Sequence, residues 1–252
     1  LSVMTEGMLP YPVEELDAMW KKVLLNQFHD ILPGSSIHEV YEVTKQEYEQ
    51  LDAQMQTMMK ERLNMLAKDG GGITVFNTIG SQRSDIVKLP DVKAAALADE
   101  DGNVYPVQQT EDGAVVYVKN LPSKGYQTFT KVQEAKDVPS VFVLADDRHL
   151  ETPFYTIELD ENGLFTRIFD KENDREIIQH EERANLMRMY EDKPIYYDNW
   201  DIDIYYTEKY WDADKLESMV WTQAGPVQIT LMQTRKISNS LIRLKIHFYA
   251  VS

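Results

Sequence analysis

The spacing of apolar residues changes at the glycine triplet Gly70, Gly71 and Gly72. Before the triplet, apolar residues recur every three or four positions, which is the period of a helix packed on one face. After it, apolar and polar residues alternate in short runs, which is the period of half-buried strands. Because helices and strands occupy separate segments, the pattern predicts an α+β multidomain fold class. We expect two domains, 1–70 and 73–252, joined by a flexible glycine hinge.

The first segment predicts two amphipathic helices that form part of an antiparallel helix bundle. The first helix begins at Pro12 and ends by Leu32, because Pro33 disfavours helical geometry in the residue before it. Ser36 and Glu39 have the spacing of a capping box that starts a second helix, which runs to the glycines along a heptad seam. The seam consists of Ile37, Tyr41, Thr44, Tyr48, Leu51, Met55, Met58 and Met65, with Arg62 interrupting it.

The second segment predicts an antiparallel β-sandwich. Runs of alternating residues are separated by hairpin-type turns rich in Asp, Asn and Gly. The predicted strands are 73–77, 84–89, 104–108, 114–118, 126–132, 154–159 and 164–170, and the sequence stops within a strand-like run at 241–251. Residues 1–4 do not have the pattern of a natural start. We therefore expect a fragment of a longer protein, with a sandwich that is truncated at the C-terminus.

The composition limits the partners of the chain. Its 252 residues include 26 basic and 42 acidic side chains, a net charge of −16, which argues against nucleic acid and against an anionic membrane as partners. No apolar run is long enough to cross a bilayer, and the first residues lack the pattern of a signal peptide. The absence of cysteine excludes disulfides and thiolate metal ligands, and it fits the cytoplasmic location that we expect. Whether the protein is a homo-oligomer stays open.

A histidine and an aspartate, His29 and Asp30, stand side by side at the predicted corner between the two helices. Such corners usually carry soluble residues, so a Phe-His-Asp-Ile run indicates a partly buried polar pair in the last turn of the first helix. An imidazole beside a carboxylate can ligate a metal ion or bind a hydroxyl group of a ligand. The alternative is a structural pair held by hydrogen bonds, which is the more frequent role of a lone histidine at a corner.

Two further segments contain residues with the chemistry of a site. The segment 196–206 has the composition of a sugar-binding surface, because aromatic rings stack on sugar C–H faces while Asp and Asn bind hydroxyl groups. It fits a core strand with a polar edge equally well. His149 lies in the acidic run 146–151, where a calcium or other metal site is the alternative to a solvated loop. His38 and His180 are interpreted as structural.

Trp20, the ungapped run 24–36 and the residues 39–41 form one motif at the helical corner. This motif resembles one in the family 38 glycoside hydrolases, the retaining, zinc-dependent alpha-mannosidases. The later segments 74–77, 121–126, 162–171 and 198–203 resemble landmarks of the same family and follow in the family's order. One departure is Thr152, where the family pattern has Asn, and it concerns a local turn.

The resemblance implies an enzyme that hydrolyses alpha-mannosidic bonds in a mannose-containing oligosaccharide. It implies that His29 ligates the zinc and that Asp30 contacts the bound sugar. The family's nucleophile, its acid–base carboxyl group and a His-x-Asp pair of metal ligands lie in an N-terminal α/β domain, whereas this sequence contains no His-x-Asp and no α/β segment before its first helix. We therefore expect no catalytic residue within this chain, and we expect the chain alone to be inactive. The alternative is a non-catalytic carbohydrate-binding or scaffold protein that shares only the fold.

Overall fold

The chain divides into two compact units in a computed structural model that describes residues 1–5, 7–67, 71–222 and 224–251. The helical unit comprises Leu1–Thr74 and Asp192–Tyr205, and the strand unit comprises Val75–Glu191 and Tyr206–Ser252. The predicted order of helices followed by antiparallel strands is confirmed. The segment 192–205 belongs to the helical unit, although the sequence pattern assigns it to the β domain.

The helical unit contains two helices, α1 (Val13–Asn26) and α2 (His38–Leu66). The predicted helix bundle is not confirmed, because the described part of this unit holds these two α-helices and no third. The predicted seam is also only partly correct, since Leu51 and Arg62 of α2 are buried while Met55 and Met65 are exposed. Ala67 turns into an extended conformation, so α2 ends before the glycine triplet. Gly70 lies outside the described residues.

The first helix ends at Asn26, well before the predicted end at Leu32. The Asn26 side chain is buried, and its Nδ2 donates to the Lys22 carbonyl at 3.0 Å and to Glu47 Oε2 of α2 at 2.7 Å. Its Oδ1 accepts a hydrogen bond from Thr44 Oγ1 at 2.7 Å. A side chain that bonds its own helix backbone and the neighbouring helix competes with continued helix formation. The helix therefore ends at this polar contact rather than at the proline.

Short strands make up most of the rest of the chain. They are β1 (Ile73–Asn77), β2 (Arg83–Leu89), β3 (Ala96–Ala98), β4 (Val104–Thr110), β5 (Gly113–Leu121), β6 (Gly125–Val132), β7 (Val143–Asp146), β8 (His149–Glu151), β9 (Tyr155–Leu159), β10 (Phe165–Asp170), β11 (Arg175–Glu176), β12 (Arg188–Tyr190), β13 (Tyr210–Asp212), β14 (Lys215–Trp221), β15 (Gln228–Ile237) and β16 (Ser240–Tyr249), with a 3-10 helix at Ile204–Glu208. The predicted strands correspond to β1, β2, β4, β5, β6, β9, β10 and β16, while the others were not predicted.

The strands form a six-stranded sheet (β1-β6-β3-β4-β5-β2), a five-stranded sheet (β11-β10-β9-β8-β7), a three-stranded sheet (β14-β15-β16) and the pair β12-β13. The five-stranded and three-stranded sheets share one apolar core, in which Leu150, Ile157 and Phe165 pack with Ile229 and Leu231. Two antiparallel sheets that enclose a common core have the arrangement of a sandwich. This part of the strand unit supports the predicted architecture.

Thr152 forms the turn for which the family pattern has Asn. Its Oγ1 accepts the backbone N–H groups of Phe154 at 3.1 Å and Tyr155 at 2.8 Å, and its own N–H donates to the Tyr155 carbonyl. A threonine hydroxyl can thus close the same kind of turn as an asparagine side chain, although more weakly. The departure from the pattern is accommodated locally.

The turn between β3 and β4 is organised by one buried carboxylate, Asp99. It accepts the backbone N–H groups of Asp101 at 3.0 Å and Asn103 at 2.9 Å, the Asn103 Nδ2 at 2.9 Å and the Tyr105 hydroxyl at 2.8 Å. The hydrogen bond from the Asn103 side chain lowers the pKa of Asp99, burial opposes that effect, and the Tyr105 hydroxyl adds to the lowering. Burial, together with the same carboxylate, raises the pKa of Tyr105 to about 12.

Replacing Asn26 by Ala is expected to lower the free energy of unfolding by about 1–3 kcal/mol, because Glu47 and Thr44 lose their partner on α1. Urea unfolding followed by circular dichroism measures this change. Gln56→Ala is the control, since Gln56 is exposed on α2 and its side chain bonds the exposed Asp52 on the same helix. Equal losses in the two variants would contradict the role of Asn26.

Replacing Asp99 by Asn is expected to remove a pH-dependent part of the stability. Because the folded carboxyl group has a pKa below its usual 3.8, it contributes stability above about pH 4 that is lost as the pH falls through the folded pKa. The advantage of the wild type over the variant is therefore full near pH 6 and shrinks below about pH 4. Urea titrations at both pH values measure it. Asp101→Asn, an exposed carboxylate in the same turn, is the control, and a pH-independent advantage would refute this account.

Candidate functional site

The residues between α1 and α2 fold into successive turns that hold His29 and Asp30 at the surface. Their predicted place in the last turn of the helix is wrong, because α1 ends before them. The Ile31 N–H donates to the Phe28 carbonyl at 2.9 Å, which closes one turn around the pair. Gly34 then adopts a left-handed conformation with φ of 85°, which glycine tolerates at low cost. We call residues 28–36 the corner.

The backbone of Asp30 is fixed by side chains from the start of α2. Ser36 Oγ donates to the Asp30 carbonyl at 2.7 Å, and the Tyr41 hydroxyl accepts the Ser36 N–H at 2.9 Å. The predicted capping box of Ser36 and Glu39 is not formed, since the N-cap residue is Ile37 and it makes no side-chain hydrogen bond. The serine hydroxyl instead bonds the backbone of the corner.

The side chains of His29 and Asp30 are exposed, by 67% and 53% respectively. The distance of 3.6 Å between His29 Nε2 and Asp30 Oδ2 is longer than a hydrogen bond. Neither side chain makes a hydrogen bond to any other residue in the described ranges. The predicted partial burial is therefore absent, and the structural alternative of a hydrogen-bonded pair is not supported. A fixed backbone that presents two polar side chains without hydrogen-bond partners is typical of a binding site.

The segment 192–205 reaches the corner within the helical unit. The ring of Trp200 lies 6.4 Å from the His29 ring, centroid to centroid, and Asn199 Nδ2 donates to the Gly34 carbonyl at 3.1 Å. The His29 ring also contacts the ring of Phe28, with a distance of 4.1 Å between the two ring centroids. No local sequence pattern signals these contacts, because the two segments are far apart along the chain.

The interpretation of 196–206 as a core strand is wrong. The segment consists of turns followed by the 3-10 helix, and its large side chains face solvent. The exposed ones are Tyr196, Tyr197, Trp200, Ile202, Ile204 and Tyr205. Residues of α1 and the corner expose further apolar side chains: Trp20, Leu24, Leu25, Phe28 and Leu32. Exposed apolar side chains in this number are typical of a binding surface.

The described residues contain no group of three or more His, Asp or Glu side chains that could hold a metal ion. His29 is therefore a single donor, whereas zinc in proteins usually has three or four protein ligands. His149 begins β8 of the β7–β8 hairpin, with Nδ1 2.8 Å from Asp146 Oδ1, so it lies in a strand rather than in a solvated loop. The backbone N–H of Arg148 and then the His149 ring lower the pKa of Asp146.

Two other histidines are exposed and lie near glutamates. His38 Nε2 is 3.6 Å from Glu42 Oε1, and His180 Nδ1 is 3.9 Å from Glu181 Oε1. Both contacts are solvent-exposed pairs, consistent with their structural interpretation. Within the described part of the chain, no helix is both long and apolar enough to span a membrane.

Two family models match this chain. Residues 1–66 match the alpha mannosidase middle domain, and residues 150–252 match the C-terminal domain of glycosyl hydrolases family 38. The two matches follow the order of the helices and the antiparallel strands along the chain. Both matches and the curated relatives support a place for the chain in glycosyl hydrolase family 38.

Similar proteins carry alpha-mannosidase names. The chain is 28% identical over 207 residues to alpha-mannosidase 2C1 of Homo sapiens, and the aligned part covers 79% of the chain and 18% of that protein. It is 24% identical over 214 residues to an alpha-mannosidase of Saccharomyces cerevisiae, and the aligned part covers 83% of the chain and 16% of that protein. The fold resembles the crystal structure of an alpha-mannosidase from Enterococcus faecalis V583, with a TM-score of 0.66 and 15% identity over 93% of the chain and 32% of the other. The chain thus spans about a fifth of the length of its curated relatives.

Proposed function

We propose that this chain is part of a retaining, zinc-dependent alpha-mannosidase acting on mannose-containing oligosaccharides, to which it supplies His29 as a metal ligand and Asp30 as a sugar-binding carboxylate. The observation that carries the proposal is the corner: a fixed backbone presents His29 and Asp30, which have no hydrogen-bond partner among the described residues, beside the exposed ring of Trp200. The alpha-mannosidase names of relatives that match across both units support the activity of the whole protein.

Asp30 is suited to bind a sugar. Its carboxylate is exposed and accepts no hydrogen bond from the described residues, while Ser36 holds its carbonyl. A carboxylate that accepts hydroxyl groups forms charge-assisted hydrogen bonds, each worth roughly 1.5–3 kcal/mol. Because the backbone is already ordered, little conformational entropy is lost when the sugar binds.

His29 is suited to ligate zinc. An unprotonated imidazole nitrogen is a common metal ligand, and here both ring nitrogens are without a hydrogen-bond partner in the described residues. Zinc, when bound, supplies a Lewis-acid contact to the sugar hydroxyl groups. Because the described residues offer one donor instead of a full set, the other ligands come from elsewhere in the protein. The two carboxyl groups that a retaining mechanism needs, about 5–5.5 Å apart, likewise come from elsewhere in the protein.

In the full-length protein, His29→Ala is expected to lower both bound zinc and kcat/KM for an aryl alpha-mannoside. The loss should exceed the roughly 10–100-fold effect of removing a supporting hydrogen bond at a metal site, because a ligand itself is lost. Elemental analysis and hydrolysis assays measure the two quantities. His38→Ala is the matched control, an exposed histidine near Glu42 in the first turn of α2.

Wild-type zinc content and activity in His29→Ala would refute the metal assignment. If the wild-type full-length protein itself contains no zinc and hydrolyses no mannoside, a non-catalytic carbohydrate-binding scaffold is the better account. The chain of 252 residues assayed in parallel is expected to show neither property, since one imidazole cannot form a stable zinc site.

Trp200→Ala in the full-length protein is expected to raise KM for the mannoside by about two- to tenfold, because loss of a stacking ring costs roughly 0.5–1.5 kcal/mol. A smaller change is expected in kcat. Steady-state kinetics measure both constants. Trp211→Ala is the matched control, since Trp211 is similarly exposed but lies in β13 of the strand unit. An equal KM in the two variants would exclude Trp200 from the sugar site.

A further inference from the structure

The strand unit contains a cavity of about 410 Å³ between the β4–β5 turn and the strands β15 and β16. This volume is within the range of small-molecule sites, roughly 300–1,000 Å³. The residues of its lining that bear on its chemistry are Gln228, Thr230, Met232, Lys245, His247 and Asp112. None of these residues belongs to the corner or to the family motifs. The cavity is therefore separate from the proposed metal and sugar ligands at the corner.

One wall of the cavity is fixed by a side-chain clamp on the backbone of β15. Gln108 is buried, and its Oε1 accepts the N–H groups of Val227 at 3.1 Å and Gln228 at 2.8 Å. Its Nε2 donates to the Gln228 carbonyl at 2.9 Å. All three hydrogen bonds are to backbone groups of Val227 or Gln228. The clamp thus explains why Gln108 is buried and leaves the Gln228 side chain free for other contacts.

The side chains of Gln228, Thr230 and His247 form a short hydrogen-bonded chain along the cavity. Gln228 Nε2 donates to Thr230 Oγ1 at 3.2 Å, and Thr230 Oγ1 lies 2.8 Å from His247 Nδ1. Because the threonine oxygen already accepts a hydrogen bond, its own proton is available for the histidine nitrogen. Burial, and then the charges of Lys88 and Lys245, lower the pKa of His247 against the opposing charge of Asp112, which favours the neutral ring.

This arrangement leaves one acceptor and one donor without partners. We assign the Thr230 hydroxyl as the donor to Nδ1, which puts the proton of the neutral ring on Nε2. Neither His247 Nε2 nor Gln228 Oε1 makes a hydrogen bond to another residue in the described ranges. Both atoms open onto the cavity, where solvent reaches them, so they are the groups that a ligand in the cavity would contact. A ligand with adjacent hydroxyl groups satisfies both atoms, because each hydroxyl donates and accepts.

The charges around the cavity are balanced, which favours a neutral ligand. Lys245 Nζ lies 2.7 Å from Asp112 and 3.8 Å from Glu111, and Lys88 is close enough for its charge to act on Asp112 and His247. A phosphate or a carboxylate would therefore find no excess of positive charge, and Gln228, Thr230 and the neutral ring of His247 offer uncharged polar groups. Met232 adds an apolar contact of the kind that a sugar C–H face needs.

We propose that this cavity is a non-catalytic binding site for a neutral saccharide unit, held by Gln228 and His247 and bordered by the Lys245–Asp112 ion pair. The site would hold part of a glycan on the strand unit independently of hydrolysis. The proposal does not depend on the roles of His29 and Asp30.

The test uses the full-length protein with Asp30→Ala, which removes the proposed sugar contact at the corner, and a methyl label on its methionines. Methyl alpha-mannoside is titrated in, and the signal of Met232, assigned with Met232→Leu, is followed by NMR. A saturable shift of this signal is expected. Because the signal is local to the cavity, a failure of the proposed function at the corner does not change the result.

Thr230→Val is expected to weaken this binding about tenfold, because Gln228 and His247 lose the hydroxyl group that orients them. Thr234→Val is the matched control, since it makes the same change on the same face of β15 outside the cavity lining. His247→Phe gives a second reading if Thr230→Val unfolds. Equal binding in the cavity variants and the control, no shift of Met232, or a stronger shift with inorganic phosphate than with the mannoside would each overturn the proposal.

Discussion

The arrangement of the helical unit depends on the polar contact between Asn26, Thr44 and Glu47. This contact connects the end of α1 to the first half of α2 and stops the first helix where it forms. If α1 continued to Pro33, His29 and Asp30 would be helical residues, and their carbonyls would belong to the helix. Because the helix ends early, residues 28–36 are free to form turns. The exposure of the two side chains follows from that ending.

The corner is stabilised at some cost to α2. Ser36 stands just before the N-terminus of α2, where a serine often caps the helix, and loss of such a cap costs roughly 1 kcal/mol. Here its hydroxyl bonds the Asp30 carbonyl, and the helix begins at His38 with Ile37 as an N-cap residue that makes no side-chain hydrogen bond. A local preference that yields to a different contact is typical of a functional site. The lost cap is therefore consistent with a corner whose shape matters more than the stability of one helix end.

Local patterns predicted eight of the sixteen strands that the described residues form, because the alternation of apolar side chains is set by neighbouring residues. They failed where a distant residue decides the structure. The end of α1 depends on Thr44, 18 residues beyond Asn26, and the packing of Asn199 on Gly34 spans 165 residues. The sequence motif drew attention to His29 and Asp30, but no pattern indicated that Trp200 lies beside them. Residue composition alone left the segment 196–206 undecided between a core strand and a sugar surface.

The corner and the cavity are built on the same physical principle. In each, a side chain bonds the backbone of a neighbouring segment: Ser36 at the Asp30 carbonyl, and Gln108 at both backbone groups of Gln228. The residue whose backbone is held keeps side-chain atoms available for a ligand. Fixing the backbone in advance reduces the entropy that binding must overcome. In each unit, the surrounding hydrogen bonds therefore fix the backbone of a residue whose polar side chain is available to a ligand.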